Sequence, residues 1–180
     1  MSVYTNPSNS TAEETAAYVA ALLDLVGTQD PIAVLAATPD AAARAVTSMS
    51  DASLRQPEKP GKWSIAQILQ HLADSEIVFS WRLRLILAQD RPALTGYDQD
   101  LWAERLGYAE ADPTTALQIF RTLRQETLRL LRRASAADLK RVGIHSERGE
   151  ESIEHLRKLY AGHDLLHLKQ LARVRVAVGG

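Results

Sequence analysis

Apolar residues in this chain recur every three to four positions, over windows too long for strands. The clearest run is Ile65, Ile68, Leu69, Leu72, Phe79, Leu83, Ile86 and Leu87, which fall on one face of a helix. Ser64, with Gln67 three residues on, supplies a capping box at its start, and Arg91-Pro92 stops it. A second long helix opens at Asp112-Pro113. Its spacing turns Leu117, Phe120, Leu123, Thr127, Leu130 and Leu131 inward and Arg121, Arg124, Gln125, Arg129 and Arg132 outward. A third, roughly Glu151 to Val174, carries Leu156, Leu159, Tyr160, Leu166, Leu171 and Val174 along one face. Nearer the start, Thr11 and Glu14 cap TAEETAAYVAALLDLVG, which Gly27 closes.

Between these lie weaker signals. Pro31 to Ala37 reads as a short segment, and Thr38-Pro39 as an N-cap and first helical residue opening PDAAARAVTSM. LRQPEKPGK is a loop by its prolines and glycine. Ala93 to Ala111 is a long connection with a short helix expected over Asp98 to Leu106, and SAADLKR is a turn before a loop through Gly149. No stretch alternates as a strand should. The pattern predicts an all-α fold, a four-helix bundle with short additional helices. Residues 1–10 read as a flexible tail and 11–180 as a single domain.

Composition narrows the function. With a net charge of -1 the chain has no bulk field for nucleic acid or an anionic membrane. No apolar run approaches a membrane span, and the first residues lack the layout of a signal peptide, so a cytoplasmic protein is expected. There is no cysteine, which removes disulfides, thiolate ligands and a cysteine nucleophile. Any metal must be held by His, Asp or Glu.

Five histidines are present, and two of them, His163 and His167 in HDLLH, stand one helical turn apart within the apolar stripe of the last helix. His71 sits at the edge of the Ser64 helix stripe, one turn from Ile68. Imidazoles aimed at a bundle interior cost free energy unless each finds a partner. A shared metal ion gives all three one, and three protein ligands leave a coordination position open. Separate core histidines bonded to tyrosines or backbone are the alternative. His145, in GIHSERGE, reads as a solvated loop residue and His155 as a surface one.

KWSIAQILQHLADSE, then WRLRLIL, GYDQDLWAE and YAGHDLLHLKQL together resemble the DinB-like (DinB/YfiT) superfamily from about Thr11 to Val174. The resemblance implies an up-down-down-up bundle, often dimeric, and a divalent metal (Zn, Ni, Mn or Fe). Its ligands correspond to His71, His163 and His167. It also implies a thiol-dependent transferase using a low-molecular-weight thiol, or a metal-dependent hydrolase, acting on a small-molecule substrate.

Asp74, three residues after His71, shares its helical face and is the candidate base or orienting carboxylate; an ion pair with Arg82 is the competing role. Glu76 and Asp164 point elsewhere on their helices. Tyr160 and Gln170 flank the histidine pair, and Trp63, Trp81 and Trp102 read as packing residues. Arg82 and Arg84 read as surface ion-pair partners or, less simply, carboxylate binders. HDLLH also resembles the protease motif H-E-x-x-H, but aspartate replaces the glutamate and no later ligand follows. A metal-binding scaffold without activity is the non-enzymatic alternative; it would have a closed site with Asp74 as fourth ligand.

Overall fold

The computed structural model describes residues 11–179; the expected tail, residues 1–10, lies outside them. In chain order the elements are α1 (Ala12–Val26), α2 (Pro31–Val46), α3 (Asp51–Arg55), α4 (Ile65–Ala88), β1 (Ala93–Leu94), α5 (Gln99–Arg105), α6 (Pro113–Arg133), α7 (Ala136–Leu139), β2 (Val142–His145), β3 (Gly149–Ser152) and α8 (Ile153–Ala177). Four helices, α2, α4, α6 and α8, enclose the core.

The core divides into two apolar clusters that also give the helix directions. One joins Val34 and Leu35 of α2, Phe79, Leu83 and Ile86 of α4, Leu128 and Leu131 of α6, and Ile153 and Leu156 of α8. The other joins Ala42, then Ile65 to Ala73, then Ala116 and Phe120, then Leu171 and Val174. Thus α2 and α8 run from the first cluster to the second, and α4 and α6 run back. The order is up-down-down-up, with α2 as the first helix of the bundle. Between the clusters lies a polar layer of Asp74, Ser75, Glu76, Arg124, Thr127, Asp164 and His167, all buried.

Caps form where the sequence places them: Thr11 with Glu14, Ser64 with Gln67, and Asp112 ahead of Pro113. Three features differ. α2 is continuous through Thr38-Pro39, which is not a helix start. Proline lacks an N–H and frees the carbonyl four residues back. That carbonyl, on Leu35, accepts instead from Arg124 Nη1 at 2.8 Å, while Thr38 Oγ1 donates to Val34 O at 2.8 Å. Helix α1 meets α2 at 87° and crosses α8. A β-carbon on Gly162 would stand 2.1 Å from Leu22 O, so glycine sets that close crossing.

The third difference is a three-stranded sheet, order β1-β2-β3, beside the α4–α8 end of the first cluster. β1 is parallel to β2, and β2 antiparallel to β3. Strands this short carry no readable alternation, and GEES of β3 is wholly polar apart from its glycine. Among the described residues no single helix is long and apolar enough to cross a membrane.

Candidate metal centre

His71 projects from α4 and His163 and His167 from successive turns of α8, and the antiparallel packing of these two helices brings them together. His163 Nε2 lies 3.1 Å from His71 Nε2 and 3.1 Å from His167 Nε2. All three ligating atoms fall within 4.8 Å of one another. Nitrogens at about 2.0–2.1 Å from one ion, separated by tetrahedral or octahedral angles, stand about 2.8–3.4 Å apart, so the spacing fits a shared cation.

The protonation chemistry fits as well. Burial depresses all three imidazoles: His71 well below its ordinary 6.5, with His167 and His163 adding to the effect; His163 to about 4, helped by Arg124; and His167 to about 3, helped by His163. Near neutral pH each ring is uncharged. Gln170 Oε1, 2.8 Å from His167 Nδ1, accepts the proton there and leaves the Nε2 lone pair facing the cluster. His71 Nδ1 and His163 Nδ1 are buried without a hydrogen-bond partner. Three neutral rings so arranged supply one hydrogen-bond donor too few for their own contacts, and a cation at the Nε2 atoms removes the conflict.

The cluster contains no carboxylate among the described residues. Asp74 is buried; its Oδ1 accepts from Gln70 Nε2 at 3.1 Å, and it makes neither the ion pair with Arg82 nor a hydrogen bond to the histidines. The neighbouring Ser75 comes nearer. Its hydroxyl is 3.4 Å from His71 Nε2 and 3.1 Å from Tyr97 Oη. Trp63 packs its ring 4.9 Å from that of His71.

His163 and Ser75 form one wall of a cleft completed by Tyr97, Arg82, His145 and Tyr160. Two of these depart from the sequence reading. Arg82, expected at the surface, is 5% exposed and donates to Tyr160 Oη at 3.2 Å and Thr95 O at 2.6 Å. His145, expected in a solvated loop, is buried because β2 pairs on both edges and turns it inward. Tyr160 stacks on Phe79 with centroids 4.0 Å apart. Trp102 packs on Tyr97, whereas Trp81 is exposed.

Behind the histidines, Arg124 is buried and not outward-facing. It bonds Glu76 at 2.8 Å and Asp164 at 2.5 Å. Glu76 also accepts from Thr127. These two carboxylates, which the helix wheel turns away from the metal, are the partners of a buried cation.

A model of the DinB superfamily matches residues 35–171 of this chain. The chain belongs to the DinB superfamily. Among its DinB relatives, the candidate metal-dependent hydrolase YfiT of Bacillus subtilis (strain 168) is 32% identical over 146 residues, covering 79% of this chain and 82% of that protein. A second candidate metal-dependent hydrolase, OB0782 of Oceanobacillus iheyensis, is 30% identical over 126 residues, 70% of this chain and 73% of that one. The solved structure of Bacillus subtilis YfiT, described as having an unusual four-helix bundle topology, superposes with a TM-score of 0.77 at 27% identity, covering 97% of this chain and 94% of that one.

Proposed function

We propose that this DinB-superfamily protein is a metal-dependent hydrolase of small molecules, with its divalent ion held by His71, His163 and His167. One observation carries the reading. The three Nε2 atoms converge with no carboxylate among them, and one of the three rings, His163, opens onto a cleft. A closed scaffold site would use a fourth protein ligand. The names of the relatives point to the same chemistry.

A divalent ion bound there lowers the pKa of a coordinated water toward neutrality and polarises an ester, amide or phosphoryl oxygen. The chain's own groups do the rest. Gln170 fixes the tautomer and orientation of His167. The Ser75 and Tyr97 hydroxyls, bonded to each other, face the cleft and can hand a proton across its floor. Burial holds the Tyr97 phenol up at about 12, so it acts as a donor. Asp74, buried one turn from His71, is the carboxylate we assign to positioning or proton transfer.

The open position would equally accept the sulfur of a low-molecular-weight thiol, which the cysteine-free chain cannot supply itself. Metal analysis of the purified protein is expected to give about one divalent ion per chain, and His71→Ala, His163→Ala and His167→Ala each to lose it. Loaded protein is then screened on small esters, amides and phosphoesters, with and without an added thiol. Turnover removed by a chelator and restored by the metal supports the hydrolase. Turnover only with thiol present reassigns it as a transferase, and full metal content in His163→Ala/His167→Ala rejects the centre.

A further inference from the structure

The cleft beside His163 contains a buried cation with no carboxylate in direct contact; Glu151, the carboxylate whose charge acts on it, is bonded to Arg148. Arg82 is almost fully buried, and both acceptors it is given, Tyr160 Oη and Thr95 O, are neutral. Among the described residues no carboxylate lies within ion-pair distance of it. A buried charge without a directly bonded counter-ion is held at a cost in desolvation. The other arginine of the cleft, Arg148, is spent on Glu151 through two bonds of 2.6 and 3.0 Å. Glu147 also lines the cleft, but its carboxylate lies against Gly96, where a β-carbon would stand 2.6 Å from Oε1, and not against Arg82.

His145 sharpens the point. The backbone N–H of Glu147 donates to His145 Nδ1 at 3.1 Å, which places the ring proton on Nε2. That Nε2–H then faces Arg82 Nη2 at 3.1 Å. A guanidinium has only donors, so in this tautomer two donors meet; Arg82 Nη2 has Thr95 O as an acceptor, and His145 Nε2–H has none. The other tautomer moves the same conflict to the Glu147 N–H. Both side chains are more than nine-tenths buried and both line the cleft.

We propose that this pair is an oxyanion site. It binds the carboxylate or phosphate of the substrate through Arg82 and His145 Nε2–H, and so presents the rest of a small anionic molecule to the three histidines. An anion there gives Arg82 a counter-charge in direct contact and gives His145 Nε2–H an acceptor. Tyr97 and Tyr160 flank it and close the cleft around a short molecule. The metal-centre reading supplies the reaction on this substrate; the anion binding stands without it.

The test titrates inorganic phosphate and, separately, acetate into the wild type, Arg82→Gln, His145→Asn and the metal-free His163→Ala/His167→Ala variant, following binding by calorimetry and metal content in parallel. Wild type is expected to bind at least one of the two anions. Arg82→Gln should bind it about tenfold or more weakly, His145→Asn several-fold more weakly, and the metal-free variant should retain it. Preference for phosphate or for acetate then separates a phosphate ester from a carboxylate as substrate. Binding of neither anion by wild type overturns the proposal while leaving the metal centre standing, if metal content is normal. Binding that survives in Arg82→Gln and vanishes with the metal overturns it too, since the anion would then sit on the ion. Should Arg82→Gln fail to fold, unaltered binding in His145→Asn overturns it.

Discussion

Arg124→Met is the substitution from which the bundle should suffer most. Arg124 is 2% exposed and links all four bundle helices: it stands on α6 and bonds Glu76 of α4, Asp164 of α8 and the Leu35 carbonyl of α2. Methionine keeps most of the volume and none of the donors. Two carboxylates are then buried with no cation, a change that costs about 3–5 kcal/mol where one partner of a buried pair is removed. The Leu35 carbonyl, already without its helical donor because of Pro39, loses its replacement at about 1–3 kcal/mol. These terms are not additive, and about 4 kcal/mol is the lower expectation. A domain of this size has about 5–15 kcal/mol in all, so the variant should be near its unfolding threshold at neutral pH. Acid should help it. Burial already raises Glu76, and without Arg124 its folded-state pKa rises further above the unfolded one. The folded state then binds the proton more strongly, and stability grows as pH falls through that window. Urea denaturation followed by helical circular dichroism at pH 8 and pH 5 measures both effects. The triple variant Glu76→Met/Arg124→Leu/Asp164→Leu, which removes the stranded charges, should recover much of the loss. A single Arg124→Met within about 1 kcal/mol of wild type would refute this account of the layer.

Gly162→Ala drives a methyl to 2.1 Å from Leu22 O, so α1 must shift; thermal denaturation should show a net loss of about 1–3 kcal/mol despite alanine's better helix propensity, and unchanged stability would remove the close crossing as a constraint. Gln170→Leu leaves the fold intact but frees His167 Nδ1; metal competition titrations should show about 10–100-fold weaker binding. His145 is held down at about 4 by burial, with Arg148 and Arg82 adding, against 6.5 when free. The unfolded chain therefore binds its proton first, and this contribution to stability is lost as pH falls from about 6.5 toward 4. His145→Asn should flatten the wild-type decline over that window, and parallel curves would show that His145 contributes nothing to it.

The helices and their caps were readable because each rests on residues close in sequence: Ser64 with Gln67, Asp112 with Pro113, and stripes of period 3.6. The two histidines of α8 were readable for the same reason, and His71 joined them because its helix face was already fixed. The polar layer is where spacing and residue type disagree. Arg124 falls between Phe120 and Thr127 on the buried stripe of α6, and Arg82 between Phe79 and Ile86 on that of α4. At both positions spacing points inward while residue type points to solvent. The structure follows the spacing. A charge retained at a core position against its desolvation cost signals a partner elsewhere: Arg124 bonds two carboxylates directly, whereas Arg82 has none in direct contact. Pro39 was unreadable for a different reason. Thr-Pro suits the start of a helix and, given a donor for the freed carbonyl, its interior as well. That donor is Arg124, 89 residues from Leu35. The two errors are therefore one: putting Arg124 inside the bundle is what allows α2 to run through its proline and become the first helix of the up-down-down-up fold. Arg82 has no directly bonded carboxylate within the described chain, since Glu151 is bonded to Arg148, which is why an anion in contact with it is sought among substrates.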